Sequence, residues 1–275
     1  MGRSDDWTKV LMAVGLAGIL TLGCGGGAEE APESAEAPAV SEEPGETRSQ
    51  APTPTREQAP TGTARITGHV TYDGPIPDLK PISMDADPAC EEKHDEPVQP
   101  NVLVLGEDEE SLGNVFVKVT SGLPDARWPV PEEPVVIDQE GCQYTPHVVG
   151  VMAGQPLQFE NSDGLLHNVH ALPDKNREFN IGMPAERTTA QETLESPEDM
   201  FRVKCDVHPW MNAWVAVMSH PYFDTTGPDG DFEISGLPPG TYEIQVWHEK
   251  LGTRTAEVTV EEGGEATTDF TFTRG

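Results

Sequence analysis

Alternating hydrophobic and polar residues predict β-strands in three parts of the chain. Residues 65–72 alternate and end at the turn sequence Asp-Gly-Pro of 73–75. Residues 115–119 read Val-Phe-Val-Lys-Val, and residues 231–248 alternate on both sides of a Pro-Pro-Gly sequence. We expect the last stretch to form a β-hairpin around this Pro-Pro-Gly turn.

Composition supports an all-β fold. The chain has 275 residues, with 27 Gly and 26 Pro, and few long helical patterns. A chain of this length holds one or two domains, and frequent Gly and Pro indicate many turns. We therefore expect β structure.

The net charge of -31, from 48 acidic and 17 basic residues, argues against nucleic-acid binding. Binding to phosphates needs a basic surface. An acidic surface favours either a basic partner or simple solvation, and composition leaves both open.

Residues 1–24 have the pattern of an export signal. Arg3 and Lys9 precede an apolar run over 10–22, which is too short to span a membrane comfortably. The run ends at Leu-Gly-Cys24, which resembles a bacterial lipobox and implies lipidation of Cys24. The alternative is an ordinary cleaved signal peptide in which Cys24 is incidental.

Residues 25–62 are rich in Ala, Glu, Pro, Ser and Thr and have almost no large apolar side chains. Such a segment cannot bury enough apolar surface to offset its ordering entropy. We predict a disordered acidic tether. It would hold the folded part near a membrane of the bacterial cell envelope, facing the periplasm or the cell surface.

Three metal ligands of different chemistry fall within one short stretch, Cys205-x-x-His208-x-x-Met211. A thiolate, an imidazole and a thioether suit a copper site that has two His and one Cys in a plane and a weak axial Met. The second His must come from elsewhere. The stretch His167-Asn-Val-His170 offers two candidates.

Together these two stretches, within about residues 130–218, resemble the amicyanin-like and plastocyanin-like cupredoxins. The resemblance implies one type 1 copper held by His167, Cys205, His208 and Met211, with His170 outside the ligand set. It also implies that the backbone N–H of Asn168 hydrogen-bonds the Cys205 sulfur and that His208 lies nearest the surface.

A second resemblance covers the ends of the folded region. The sequence Gly-x-Phe-x-Ile-x-x-Leu-Pro-Pro-Gly-x-Tyr-x-Ile of 230–244 is similar to the carboxypeptidase regulatory domain, a prealbumin-like sandwich. That family also opens with a Gly-x-Val strand, here 68–70, and a Val-x-Val strand, here 115–119.

These two resemblances predict an insertion. Residues 64–128 and 221–273 would form the prealbumin-like sandwich, and residues 129–220 would form a cupredoxin-like Greek-key barrel or sandwich between them. The alternative is two sandwiches in series, with 64–128 donating the first strands of the cupredoxin.

Two further cysteines, Cys90 and Cys142, remain after Cys24 and Cys205 are assigned. In an exported chain they are expected to form a disulfide. A second metal site with His94 and His147 is the alternative, and free thiols are the third.

Three other side chains have open roles. His248 ends a predicted strand and is either solvated or close to the copper loop. Trp214 is expected in the core, whereas Trp210 either fills the barrel end or forms part of an exposed docking patch.

The function predicted from these observations is extracytoplasmic one-electron transfer by a lipid-anchored copper protein, with a cytochrome or dehydrogenase-like partner. No catalytic triad, paired carboxylates or phosphate loop stands out, so we expect that the protein is not an enzyme. The alternatives are a copper carrier or sensor, and a carbohydrate- or protein-binding lipoprotein with a structural metal site.

Overall fold

The computed structural model describes residues 58–60 and 62–273, which belong to one compact unit. The predicted signal peptide, Cys24 and most of the predicted tether of 25–62 lie outside the described residues. Among the described residues, no helix has the length and apolar character needed to cross a membrane.

The predicted tether extends too far at its C-terminal end. Gln58 forms a β-bridge with Arg127, and the backbone N–H of Ala59 donates to the carbonyl of Arg127 at 3.0 Å. The N–H of Gly62 donates to the carbonyl of Gly236 at 3.2 Å. These backbone bonds order the last residues before the first strand.

The all-β fold class is confirmed. The described residues form four sheets, none of which closes into a barrel, and one short helix, α1 (Pro88–Glu91). The sheets pair into two sandwiches, each with its own hydrophobic core.

The first sandwich contains residues from both ends of the folded region. One of its sheets holds the strands β1 (Ala64–Asp73), β13 (Asp231–Leu237), β16 (Glu265–Thr267) and β17 (Phe270–Thr273). The other holds β2 (Phe116–Ser121), β12 (Phe223–Thr225), β14 (Gly240–His248) and β15 (Gly252–Val260).

Strand β1 pairs with strands that are far away in sequence. It is antiparallel to β13, with Gly68 opposite Phe232 and Ile66 opposite Ile234, and parallel to β16 and β17. Alternate residues of β1 are buried between the sheets, as its hydrophobic pattern predicts. Gly68 has no room for a side chain, because a Cβ there would lie 1.9 Å from the carbonyl oxygen of Thr268.

The predicted hairpin over 231–248 is wrong. Strands β13 and β14 lie in different sheets, and β14 pairs with β15 and β2 instead. Pro238 and Pro239 have no N–H to close a two-residue hairpin, so the chain crosses between sheets here. The hydroxyl of Tyr242 donates to the carbonyl of Pro238 at 2.6 Å and fixes this crossing.

The second sandwich contains the residues between β2 and β12. One sheet has the strand order β5 (Val148–Met152), β11 (Asn212–Met218), β10 (Glu198–Lys204), β7 (His167–Leu172) and β8 (Phe179–Met183). The other has the order β4 (Gln143–Thr145), β3 (Val135–Glu140), β6 (Pro156–Asn161) and β9 (Thr189–Thr193).

Residues 64–128 were predicted to belong to the first sandwich, but residues 82–98 within this range pack against the second sandwich instead. Met84 and Cys90 are buried in the core of the second sandwich, and Ile82 and Val98 pack against it. The physical reason is a disulfide, which links Cys90 to Cys142 in the turn between β3 and β4.

The two sandwiches share an apolar contact and a buried ion pair. Phe116 of the first sandwich clusters with Val148, Ala216 and Met218 of the second. Nearby, Nε2 of His147 lies 2.7 Å from a carboxylate oxygen of Glu249, and each of these two side chains is only 4% exposed. The pair therefore joins the two sandwiches where water has little access.

Replacing His147 by Ala should lower the free energy of unfolding by about 3 kcal/mol, because it leaves the buried Glu249 carboxylate without its main partner. Urea unfolding of the full chain measures this. His69→Ala is the matched control, since the His69–Asp231 pair is largely exposed and should contribute within about 1 kcal/mol. Equal losses in the two variants would contradict the importance of burial here.

The same pair predicts a pH dependence. Burial raises the pKa of Glu249, but His147 and Lys250 lower it more, so that it lies below the ordinary value of 4.5. The stability contributed by Glu249 should be present above pH 4.5 and be lost as the pH falls below it.

Candidate metal centre

The predicted ligands come from two places at one end of the second sandwich. His167 begins β7, and Cys205, His208 and Met211 lie in the loop that joins β10 to β11. The backbone N–H of Cys205 donates to the carbonyl of Met211 at 3.1 Å. The N–H of Met211 donates to the carbonyl of His208 at 3.0 Å, so the loop folds into a tight turn.

Three ligand side chains converge beneath this turn. The Nδ1 atoms of His167 and His208 lie 2.9 Å apart, and the Cys205 sulfur lies 3.9 Å from Nδ1 of His208. One ligand atom from each residue lies within 4.8 Å of the other two. All three residues are at most 1% exposed.

The fourth predicted ligand, Met211, lies in the same turn and is 1% exposed. Its side chain belongs to the core of the second sandwich. Its role as an axial ligand stays a prediction.

The Cys205 sulfur contacts Asn168 and the backbone of its own loop. It lies 3.4 Å from Oδ1 of Asn168 and accepts from the backbone N–H of His208 at 3.3 Å. The bond from the backbone N–H of Asn168 that the resemblance implies stays a prediction. Burial raises the pKa of the Cys205 thiol, but His167 and nearby backbone N–H groups lower it more, so the net shift is downward. The surroundings therefore stabilise the thiolate more than those of an ordinary cysteine do.

The donor set fits copper. A thiol, two imidazoles and a nearby thioether are soft or borderline ligands, and they lie where water is excluded. Burial lowers the pKa of His167, but Asp163 and Cys205 raise it to about 8. A metal ion that binds His167 and Cys205 must therefore displace a proton from them, as is usual for metal binding.

Asp163 positions His167, a role that was not predicted from the sequence. Its carboxylate accepts hydrogen bonds from Nε2 of His167 and from the N–H groups of Gly141 and Cys142, each at 2.8 Å. Nζ of Lys93 lies 3.2 Å away. Burial raises the pKa of Asp163, but these partners lower it to about 2. The only available signal was a carboxylate four residues before a ligand His.

The prediction that His208 lies nearest the surface is wrong. His208 is 1% exposed, because residues 87–94, which we call the covering segment, lie over it. Nε2 of His208 donates to the carboxylate of Asp87 at 3.0 Å and lies 3.6 Å from the sulfur of Cys90.

Three further contacts hold the covering segment to the second sandwich. The Cys90–Cys142 disulfide is one, and the bond from Nζ of Lys93 to the carbonyl of Asp163 at 2.9 Å is another. The third joins Nε2 of His94 and the carbonyl of Gly141 at 2.8 Å.

The alternative metal site with His94 and His147 is not formed. Among the described residues, the clusters of metal-ligating side chains include neither of these histidines. His147 instead contacts Glu249 and the carbonyl of Asn212. His170 lies outside the ligand cluster and contacts Asp206 and Glu178.

The remaining aromatic residues have structural contacts. Trp210 is half-buried, packs 5.1 Å from the His208 ring, and donates to the carbonyl of Cys142 at 3.1 Å. Trp214 packs against Trp247 where the two sandwiches meet. His248 is buried beside Phe272, and burial lowers its pKa to about 4, so it is a neutral core residue.

Comparison with protein families confirms one resemblance. Residues 208–273 match the model of the carboxypeptidase regulatory-like domain family. The match begins inside the Cys205–Met211 loop and includes β11 of the second sandwich as well as β12–β17. No curated protein sequence is significantly similar to this chain.

Solved structures similar to this chain include cupredoxins. A purple cupredoxin from Nitrosopumilus maritimus has 18% identity and a TM-score of 0.26, covering 30% of this chain and 98% of that one. A mutant of amicyanin in the Cu(I) form has 21% identity and a TM-score of 0.28, covering 37% and 98%.

A copper-containing nitrite reductase from Thermus scotoductus is also similar, with 20% identity and a TM-score of 0.29. The match covers 37% of this chain but only 25% of that enzyme. The expectation that the protein is not an enzyme is therefore corrected, because structures similar to this chain include an enzyme, this nitrite reductase.

Replacing Asp163 by Ala should weaken copper binding by about 10- to 100-fold, because partners that orient a ligand His contribute that much in metal sites. Competition with a chelator of known affinity measures this. Asp138→Ala is the matched control. Asp138 bonds Ser162 in the same loop but does not contact His167. An unchanged affinity in Asp163→Ala would show that His167 needs no support.

Proposed function

We propose that this protein binds one copper ion in a type 1 site and carries single electrons outside the cytoplasm. The observation that supports it most is the convergence of His167, Cys205 and His208 in one buried cluster. Copper held there would supply one-electron chemistry between Cu(II) and Cu(I).

Each ligand side chain has a distinct role in this proposal. Cys205 provides the thiolate, and backbone N–H groups around its sulfur stabilise the charged form. His167 and His208 present their Nδ1 atoms, each held from the opposite side by the carboxylate of Asp163 or Asp87. Met211 would be the weak axial ligand that adjusts the potential.

This support makes the site rigid. Both imidazoles have their Nε2 atom bonded to a carboxylate, so neither ring turns freely. The Cys205 sulfur accepts from the backbone N–H of His208 at 3.3 Å within the turn itself. A site that keeps one geometry in both oxidation states needs little rearrangement, which favours fast electron transfer.

A redox partner cannot contact His208 directly, because this ligand is buried and not exposed as the sequence predicted. The partner must therefore meet another surface near the site. Two exposed apolar residues, Leu166 and Val207, directly precede the ligands His167 and His208, with exposed fractions of 56% and 43%. The protein carries a net charge of -31, so a basic redox protein is the partner that its charge would attract.

A copper carrier is the second candidate function. The observation that favours it is the covering segment, which shields His208 from solvent and lengthens the distance to any partner on that side. A slow self-exchange rate with tight Cu(I) binding would support the carrier. A fast rate would support electron transfer.

The proposed location is the cell envelope. The export signal of 1–24, lipidation at Cys24 and a tether toward the first strand would place the two sandwiches at a membrane on the extracytoplasmic side. The disulfide between Cys90 and Cys142 is in keeping with an oxidising compartment.

The protein loaded with Cu(II) should show intense thiolate-to-copper absorption in the visible and a type 1 EPR spectrum. Cys205→Ser should abolish the absorption, because the thiolate is its source. Met211→Leu should keep the absorption and raise the reduction potential, because only a weak axial bond is lost.

Met218→Leu is a matched control for the methionine variant, since Met218 is buried in the contact between the two sandwiches, away from the ligand loop. Its spectrum and potential should not change. A colourless wild-type protein that prefers zinc to copper would refute electron transfer at this site.

Mass spectrometry of the mature protein from its native host should find an N-terminal cysteine, Cys24, carrying acyl chains, because the Leu-Gly-Cys junction matches a lipobox. Cys24→Ser should release the protein from the membrane fraction. An unmodified N-terminus at any other residue would rule out the anchor.

A further inference from the structure

The Cys90–Cys142 disulfide lies directly against the candidate copper centre. Both cysteines are fully buried, and the Cys90 sulfur is 3.6 Å from Nε2 of His208. Ligand atoms of Cys90, Cys142 and His208 lie within 4.8 Å of one another. The ring of His208 thus presents Nδ1 to one sulfur-containing group and Nε2 to another.

The ability of Cys90 and Cys142 to bind a metal depends on whether they are oxidised to a disulfide or reduced to thiols. Disulfide sulfurs are poor metal ligands, whereas thiolates bind Cu(I) and other soft ions strongly. A dithiol reductant would convert the disulfide into two thiols by thiol–disulfide exchange. Two electrons and two protons pass to the cysteines, and the reductant becomes a disulfide.

We propose that Cys90 and Cys142, once reduced by a dithiol, form a Cu(I) site with Nε2 of His208 as a third ligand. The site is separate from the Cys205 centre and shares only the His208 side chain with it. A neutral imidazole carries a proton on one nitrogen, so His208 coordinates through Nε2 or through Nδ1 at any one time. The two sites therefore compete for His208.

This competition suggests what the site does. Copper held by the two thiolates lies next to the Cys205 centre, and a change of the coordinating nitrogen on His208 would pass it inward. The covering segment, which carries Cys90, would thus serve in copper loading.

Reduction of the disulfide requires a local opening of the structure. Because both cysteines are buried, a reductant reaches them only when the covering segment opens. The bonds that resist opening are the Asp87–His208, Lys93–Asp163 and His94–Gly141 contacts. Two of these bonds involve side chains with some exposure, which makes local opening easier than global unfolding.

The test uses the full chain carrying Cys205→Ser, in which the Cys205 centre is removed. The protein is treated with a dithiol, and the dithiol is then removed under anaerobic conditions. The protein is next titrated with Cu(I) in competition with a chromophoric Cu(I) chelator. The dithiol-treated variant should bind one Cu(I) per chain, and the untreated variant should bind none at the same chelator concentration.

Two controls assign the ligands. Adding Cys90→Ser and Cys142→Ser should abolish Cu(I) binding after dithiol treatment. Adding His208→Gln should weaken it by at least about tenfold, because a ligand is lost and the loss of a group that only supports a ligand already costs about that much. Circular dichroism and a count of free thiols confirm that each protein is folded and reduced.

Two results would overturn the proposal. One is a dithiol-treated, folded Cys205→Ser protein that binds no Cu(I). The other is a disulfide that the dithiol reduces only when the protein unfolds. The type 1 proposal is tested separately, because it needs only the oxidised wild-type protein and its Cu(II) spectrum.

Discussion

The buried carboxylate of Asp163 is the contact on which the candidate metal centre depends. It accepts hydrogen bonds from the β3–β4 turn and from His167 at the start of β7, and it pairs with Lys93 of the covering segment. A buried charge is costly unless several hydrogen-bond donors surround it. The carboxylate therefore ties together the β3–β4 turn, the start of β7 and the covering segment, each of which supplies a donor to it. The same turn carries Cys142, which places the disulfide beside the ligands.

The insertion of one sandwich into the other stays a prediction, and two kinds of contact agree with it. Strand β1 pairs with β13, β16 and β17, so both ends of the folded region contribute to one sheet and bury their apolar faces together. The second sandwich then leaves from β2 and returns to β12, which are hydrogen-bonded neighbours. Because these strands are adjacent, a whole domain can be inserted between them without opening the first core.

The covering segment changes how the metal centre relates to solvent. Asp87 and Cys90 lie on the outer nitrogen of His208, and Trp210 packs on the same ring. Excluding water from this ring strengthens its electrostatic contacts. It also means that access to the metal depends on residues far from the ligand loop in sequence.

Local sequence was enough to predict several features. Alternation located β1 and the strands of 231–248, because burial of every second side chain leaves a pattern with a period of two. The order and spacing of His167, Cys205, His208 and Met211 indicated a common cluster, because a short loop brings ligands three residues apart together, and the structure joins His167 to two of them.

Tertiary structure decided which strands pair and what surrounds the ligands. The pattern of 231–248 is compatible with a hairpin or with a crossing between sheets, and only packing against β1 and β2 selects the crossing. The burial of His208 and the role of Asp163 arise from segments distant in sequence, 87–94 and 141–142. Such contacts leave no local pattern, because the sequence around each of these residues is equally compatible with an exposed position. They form because a covalent disulfide and a shared buried carboxylate stabilise that one arrangement.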